Sequence, residues 1–175
     1  EMNKILVTYA SRNGSTAGVA EAIGKTLAEC GDAVDVLRMD EVQDLSPYRA
    51  VVAGSAIQGG QWLPEAMRFV HTHRAELAGK PFAAFLACMT LAMKNGAYRQ
   101  QVSGWLAPVR AQVRPVSEGL FAGALDLRKI PSMGDRMKFW ISVKMGVWSE
   151  GDHRNWQAIQ AWARNLHPLL APGAR

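Results

Sequence analysis

Thr8-Tyr9-Ala10-Ser11-Arg12-Asn13-Gly14-Ser15-Thr16-Ala17 lies between an apolar, β-branched run, Lys4-Ile5-Leu6-Val7, and a stretch of helical periodicity. Strand, hydroxyl-rich turn and helix is the order in which α/β proteins hold a phosphate. Ser11, Ser15 and Thr16 offer hydroxyls, and Gly14 lets the backbone come close to an anion. The amides of Asn13 to Thr16 open the helix with their N–H groups unpaired. A phosphate dianion satisfies those donors and sits at the positive end of the helix dipole. The neighbouring sequence excludes a nucleotide triphosphate: Gly18 to Thr26 ends in Gly-Lys-Thr, but its spacing is one residue too long and it lies inside the helix. The dinucleotide pattern G-x-G-x-x-G is absent from the turn. A turn of Ser, Asn and Thr suits a terminal phosphate monoester better than a pyrophosphate.

Working outward, residues 3–9 read as the first strand. Residues 16–29 read as a helix with Val19, Ala20, Ile23 and Leu27 on one stripe, stopped at Gly31. Residues 33–37 alternate like a half-buried edge strand, and residues 50–54 are wholly apolar, as in a covered central parallel strand. Residues 64–77 read as a helix, 81–87 as a buried strand, and 96–112 as a helix with a break near Gly104 and Pro108. Residues 114–121 give the fifth strand. Residues 155–166 give a last helix carrying Trp156, Ile159, Trp162 and Ala163 on one side. Alternating β and α without a hairpin signal predicts a parallel sheet with helices on both faces. A ligand then belongs beyond the carboxyl ends of the strands, at the switch point between the first and third.

The 175 residues suit one well-buried domain spanning 1–175, 49% hydrophobic and 20% charged, with no linker, repeat or charge block. A first strand beginning at the N-terminus leaves no room for a secretory leader. The isolated Cys30 and Cys88 form neither a disulfide framework nor a metal pair. His71 and His73, two apart on a helix, point to different sides, so no metal site is expected. These readings place the chain in a reducing cytoplasm. The net charge of +5 favours anionic lipid or polycarboxylate partners, unless it is composition drift. No signature supports nucleic acid.

The segment Ser11-Arg12-Asn13-Gly14-Ser15-Thr16 resembles the phosphate loop of the flavodoxins, T/S-x-T/N-G-x-T, which holds the phosphate of FMN. Residues 50–62 resemble the third strand and flavin-contacting loop of that family. Phe121-Ala122-Gly123-Ala124-Leu125, the basic and aromatic stretch after it, and the late Asn155-Trp156 are closer to one branch, the menaquinone-dependent protoporphyrinogen oxidase family. The resemblance implies a flavodoxin-like three-layer sandwich with strand order 2-1-3-4-5 and FMN as cofactor. It implies three cofactor loops. The first is residues 11–16. The second is Ser55, Ala56, Ile57, Gln58, Gly59, Gly60 and Trp62, where Trp62 either stacks on the ring or belongs to the core. The third is Cys88, Met89, Thr90 and Leu91, with Thr90 as a hydroxyl contact. That third loop lacks the Tyr that electron carriers commonly stack on the flavin, and an uncovered ring face favours an enzyme. No catalytic side chain is identified; the chemistry is expected at flavin N5.

Residues 124–152 exceed the roughly 2–6 residues that such a connection needs. Ile130, Met133, Met137, Trp140, Ile141, Lys144 and Trp148 recur there at spacings of three and four, beside Arg128, Lys129, Arg136 and Lys138. Three readings stay open: a helix packed on the domain with Met filling gaps, a helix lying on an anionic, quinone-bearing membrane, or an oligomer contact. The family resemblance implies a porphyrinogen substrate, a quinone acceptor and a role in heme biosynthesis. Arg12, Arg128, Lys129 and Arg136 are then candidate contacts for propionates or lipid. Two competing functions are an electron-carrier flavodoxin with a protein partner and a flavodoxin-like interaction module that has lost FMN.

Overall fold

A computed structural model describes residues 3–12, 14–92, 98–125, 132–145 and 151–173. Its elements are β1 (Lys4–Ala10), α1 (Ser15–Glu29), β2 (Ala33–Arg38), a 3-10 turn (Met39–Glu41), β3 (Tyr48–Gln58), β4 (Gln61–Trp62), α2 (Pro64–Thr72) and α3 (Arg74–Ala78). There follow β5 (Phe82–Cys88), a second 3-10 turn (Met89–Ala92), α4 (Tyr98–Gly104), α5 (Ala107–Gln112), β6 (Ser117–Ala122), β7 (Ala124–Leu125), α6 (Met133–Lys144), β8 (Gly151–Asp152) and α7 (Trp156–Leu169).

The apolar run at the start becomes a central strand because both of its faces are covered. Ile5 and Val7 pack on one side with Val19, Ala20, Ile23 and Leu27 of α1 and Ile159, Ala163 and Leu166 of α7. Leu6 and Ala10 face the other side with Phe69 and Val70 of α2, Val102 of α4 and Val109 of α5. Five strands pair in parallel in the order β2-β1-β3-β5-β6. Counted along the chain without the short β4, this is the expected 2-1-3-4-5, a sheet between two helical layers.

Several elements differ from the sequence reading. The third strand runs on to Gln58 and turns back as β4, pairing Ile57 with Trp62 and Gln58 with Gln61 in an antiparallel hairpin. Gly59 and Gly60 have φ of 61° and 73°. Two successive positive φ values are what a mirror-image two-residue turn needs, so Gly-Gly was a hairpin signal that the β/α alternation masked. The helix read over 64–77 is interrupted at His73, whose ring lies 4.8 Å from that of Phe69. Residues 96–112 hold two helices, and Pro108 sits in the first turn of α5, where its missing N–H is harmless.

In α7, Asn155 Oδ1 accepts from the Ala158 amide at 3.0 Å as an N-cap. Trp162 fastens the helix to β6, its Nε1 donating to Ser117 Oγ at 3.0 Å. Trp156 does not join the buried stripe; it is exposed, with the Arg154 guanidinium 4.6 Å above its ring.

At the amino ends of the strands, Arg49 donates to Asp32 Oδ1 at 2.8 Å and to the Asn3 carbonyl at 2.6 Å. His167 Nδ1 lies 2.7 Å from Asp32 Oδ2. The Asp32 side chain is only 5% exposed, and these contacts tie the end of α7 to the start of β2 and β3.

The insertion is bracketed by β7 and β8, which pair antiparallel. Its helix α6 turns the Met-rich stripe outward. Met133, Met137, Trp140, Ile141 and Met145 are exposed, while Arg136 and Val143 are half-buried. Of the three open readings, packing of the Met-rich stripe onto the domain is therefore not observed. Residues 128–130 and 148, which share that pattern, lie outside the described residues.

Candidate functional site

β1, β3 and β5 are neighbours in the sheet, and each is followed at its carboxyl end by one of the three expected loops. In the first, Gly14 has φ of 87°, and no side chain caps α1, whose first turn carries no acidic residue. Ser11 Oγ accepts the Gly14 amide at 3.0 Å. Thr16 is fully buried, and its Oγ1 has no hydrogen-bond partner among the described residues. Buried hydroxyls are nearly always paired, so this orphan requires an explanation. A phosphate at the open helix terminus would supply one, accepting from this hydroxyl. Asn13 lies outside the described residues.

Arg12 is not directed at this cradle. Both ends of its guanidinium bind Glu65 at the start of α2, with Nη2–Oε2 at 3.1 Å. Burial pushes the Glu65 carboxyl up, but the Arg12 hydrogen bond and the nearby Arg68 outweigh it and hold Glu65 below its ordinary value.

In the second loop, Ser55 serves the backbone: its hydroxyl accepts from the Leu63 amide at 3.0 Å and donates to the Ala56 carbonyl at 2.7 Å. Trp62 is 2% exposed among the core residues under α2 and α5, which is the second of its two readings. Ala56 and Ile57 are half-buried, and Gln58 and Gly59 are exposed. The indole of Trp105 lies against the turn, since a Cβ on Gly60 would come within 3.3 Å of its Nε1. No spacing signal in the sequence links Trp105 to residue 60.

In the third loop, Cys88 is buried and its carbonyl accepts from the Gly123 amide at 3.1 Å. Met89 and Leu91 are half-buried; the Thr90 side chain is outside the described set. Gly123 sits where a Cβ would lie 3.7 to 3.8 Å from Ser15, Cys88 and Met89, so the first and third loops approach each other there.

Arg154, on the return from the insertion, was also missed. Its Nη1 donates to the Ser15 carbonyl at 3.2 Å, while Nε and Nη2 bind Asp152 at 2.8 and 2.6 Å. Gly18 makes the room, because a Cβ there would come within 2.4 Å of that Nη1. The guanidinium holds the Asp152 carboxyl down at about 2. The first turn of α1 is thus braced by the segment that closes the insertion. Of the proposed substrate or lipid contacts, Arg136 is half-buried on α6, and Arg128 and Lys129 lie outside the described residues.

A family model described as a flavodoxin domain matches residues 6–153. The chain belongs to the flavodoxin family. Among curated relatives, it is 26% identical to protoporphyrinogen IX dehydrogenase [quinone] of Escherichia coli (strain K12) over 95% of this chain and 96% of that one. Solved structures of similar fold include a Streptococcus pneumoniae TIGR4 flavodoxin, 16% identical with TM-score 0.58 over 94% of this flavodoxin-family chain and 97% of that one. Another is a flavodoxin from the domain Archaea, 21% identical with TM-score 0.50 over 92% and 99%. Among the described residues no helix is long and apolar enough to cross a membrane.

Proposed function

We propose that the chain is an FMN-dependent oxidoreductase that takes reducing equivalents from a porphyrinogen and passes them to a quinone. The orphaned Thr16 hydroxyl at an uncapped helix start carries the cofactor part of this reading. Residues 11–16 would hold the phosphate, and the loops after β3 and β5 would flank the ring. FMN bound there supplies the redox chemistry. The chain's own part is to bind and orient: Ser55 holds the second loop to the start of α2, and Arg154 holds the Ser15 carbonyl. The substrate and acceptor rest on the printed name of the Escherichia coli relative.

The outward stripe of α6 supports contact with an anionic, quinone-bearing membrane. Met133, Met137, Trp140 and Ile141 would enter the headgroup region, with Lys138 and Lys144 on the same helix. Lys144 lies 5.7 Å from the Trp140 ring centroid, a cation and aromatic pair suited to a lipid interface.

The test is anaerobic assay of the FMN-loaded protein with protoporphyrinogen and a menaquinone analogue, read as porphyrin fluorescence. No oxidation above the protein-free rate would sink the substrate. Turnover only with a protein acceptor would favour the electron-carrier reading, which the likeness to flavodoxins also supports. Thr16→Val tests the cofactor part. Losing one charge-assisted hydrogen bond should weaken FMN binding by about tenfold or more, while removal of a buried unpaired hydroxyl leaves thermal stability equal or higher. Unchanged FMN affinity would remove Thr16 from the site.

A further inference from the structure

We propose a second small-molecule site, for an organic acid bearing two or more carboxylates, on the side of the phosphate loop away from the ring loops. A cavity of about 720 Å³ opens there, within the usual range for ligand pockets. Its walls are the ends of β1 and β2, the first 3-10 turn and α2. Among the described residues none of 55–62 or 88–91 lines it, so it shares only the phosphate loop with the cofactor loops.

Its chemistry is that of an anion site with an apolar floor. Arg12, Arg38 and Arg68 line it against Asp40 and Glu65, leaving one positive charge in excess before His73 is counted. Arg12 is held by Glu65 through both arms of its guanidinium, and Arg38 by Asp40 through Nη2 at 2.5 Å, so both guanidinium groups already meet a carboxylate. The Arg38 and Asp40 side chains are about 60% exposed. Such a surface pair contributes little stability, and a ligand carboxylate can replace Asp40 at small cost. Arg68 makes no hydrogen bond or ion pair among the described residues, although it lies close enough to Glu65 to lower its pKa. Met39, Val42 and Phe69 supply the surface on which an apolar body would rest.

The inference goes beyond the proposed function, because the site stands whatever the redox substrate is; a propionate-bearing porphyrinogen is simply one acid of this class. The probe is coproporphyrin, a fluorescent tetracarboxylate that the protein cannot oxidise further, titrated into protein saturated with FMN. Binding that weakens with salt is expected. Arg38→Gln with Arg68→Gln should raise the dissociation constant by about tenfold per guanidinium lost, with FMN affinity within about twofold. Asp40→Asn, which removes the resident competitor, should tighten binding.

Three results would overturn the proposal: no binding to the native protein, unchanged affinity in the double variant, or displacement of the probe by FMN. The last would place the probe in the phosphate loop instead. Porphyrinogen turnover is measured separately, so loss of this site and loss of the proposed activity are told apart.

Discussion

At the amino ends of the strands, Asp32 receives Arg49 and His167, and Arg49 also caps the Asn3 carbonyl. At the carboxyl ends, Thr16 is equally enclosed, yet among the described residues its hydroxyl has no partner and the helix behind it no side-chain cap. A folded chain ordinarily satisfies what it buries. One end of the sheet is complete in itself; the other leaves a hydroxyl open, which the proposed FMN phosphate would complete. The Asp32 and Thr16 side chains are both polar and buried, but only Asp32 finds its partners within the described residues.

The largest effect expected is on the complete end. Asp32→Ala strands a largely buried Arg49 and should cost about 3 kcal/mol in denaturant unfolding. FMN affinity should stay within about twofold. A parallel fall in both would mean that the two ends are coupled and would break the comparison.

A smaller effect sharpens it at the carboxyl end. The Asp152 carboxyl is depressed from 3.8 to about 2 by Arg154. A depressed folded-state value contributes stability that is fully present above 3.8 and lost as pH falls through about 2. The stability gap between the native protein and Asp152→Asn should therefore be constant at neutral pH and close across that acid window. A gap that persists at the acid end would show that Asp152 acts otherwise than as the anion bound to Arg154.

The smallest effect belongs to α6. Met137→Ser, at a side chain 57% exposed, should change stability by no more than about 0.5 kcal/mol. The same substitution should weaken binding to anionic liposomes. A larger stability loss would mean that the stripe packs on protein.

Much of this was legible beforehand. The strand before residue 11 and the helix after residue 16 were readable because period-2 and period-3.6 burial are local properties. The candidate phosphate loop stood out because hydroxyls, a glycine and a helix start fall within six consecutive positions. The hairpin at Gly59 and Gly60 was legible too, but the β/α alternation outweighed it. The α6 stripe was legible as a stripe, whereas its outward direction was not, since periodicity defines a face without naming what it meets.

The amino-acid sequence alone determined the order of elements, the layered fold and the place proposed for an anion, all of which follow from patterns within a few turns of chain. Tertiary structure decided the rest. It turned Arg12 to Glu65, placed Trp62 in the core and carried Arg154 across 139 residues to the Ser15 carbonyl. Those outcomes depend on which side chains meet after the chain has closed on itself, and residue spacing carries no record of such meetings.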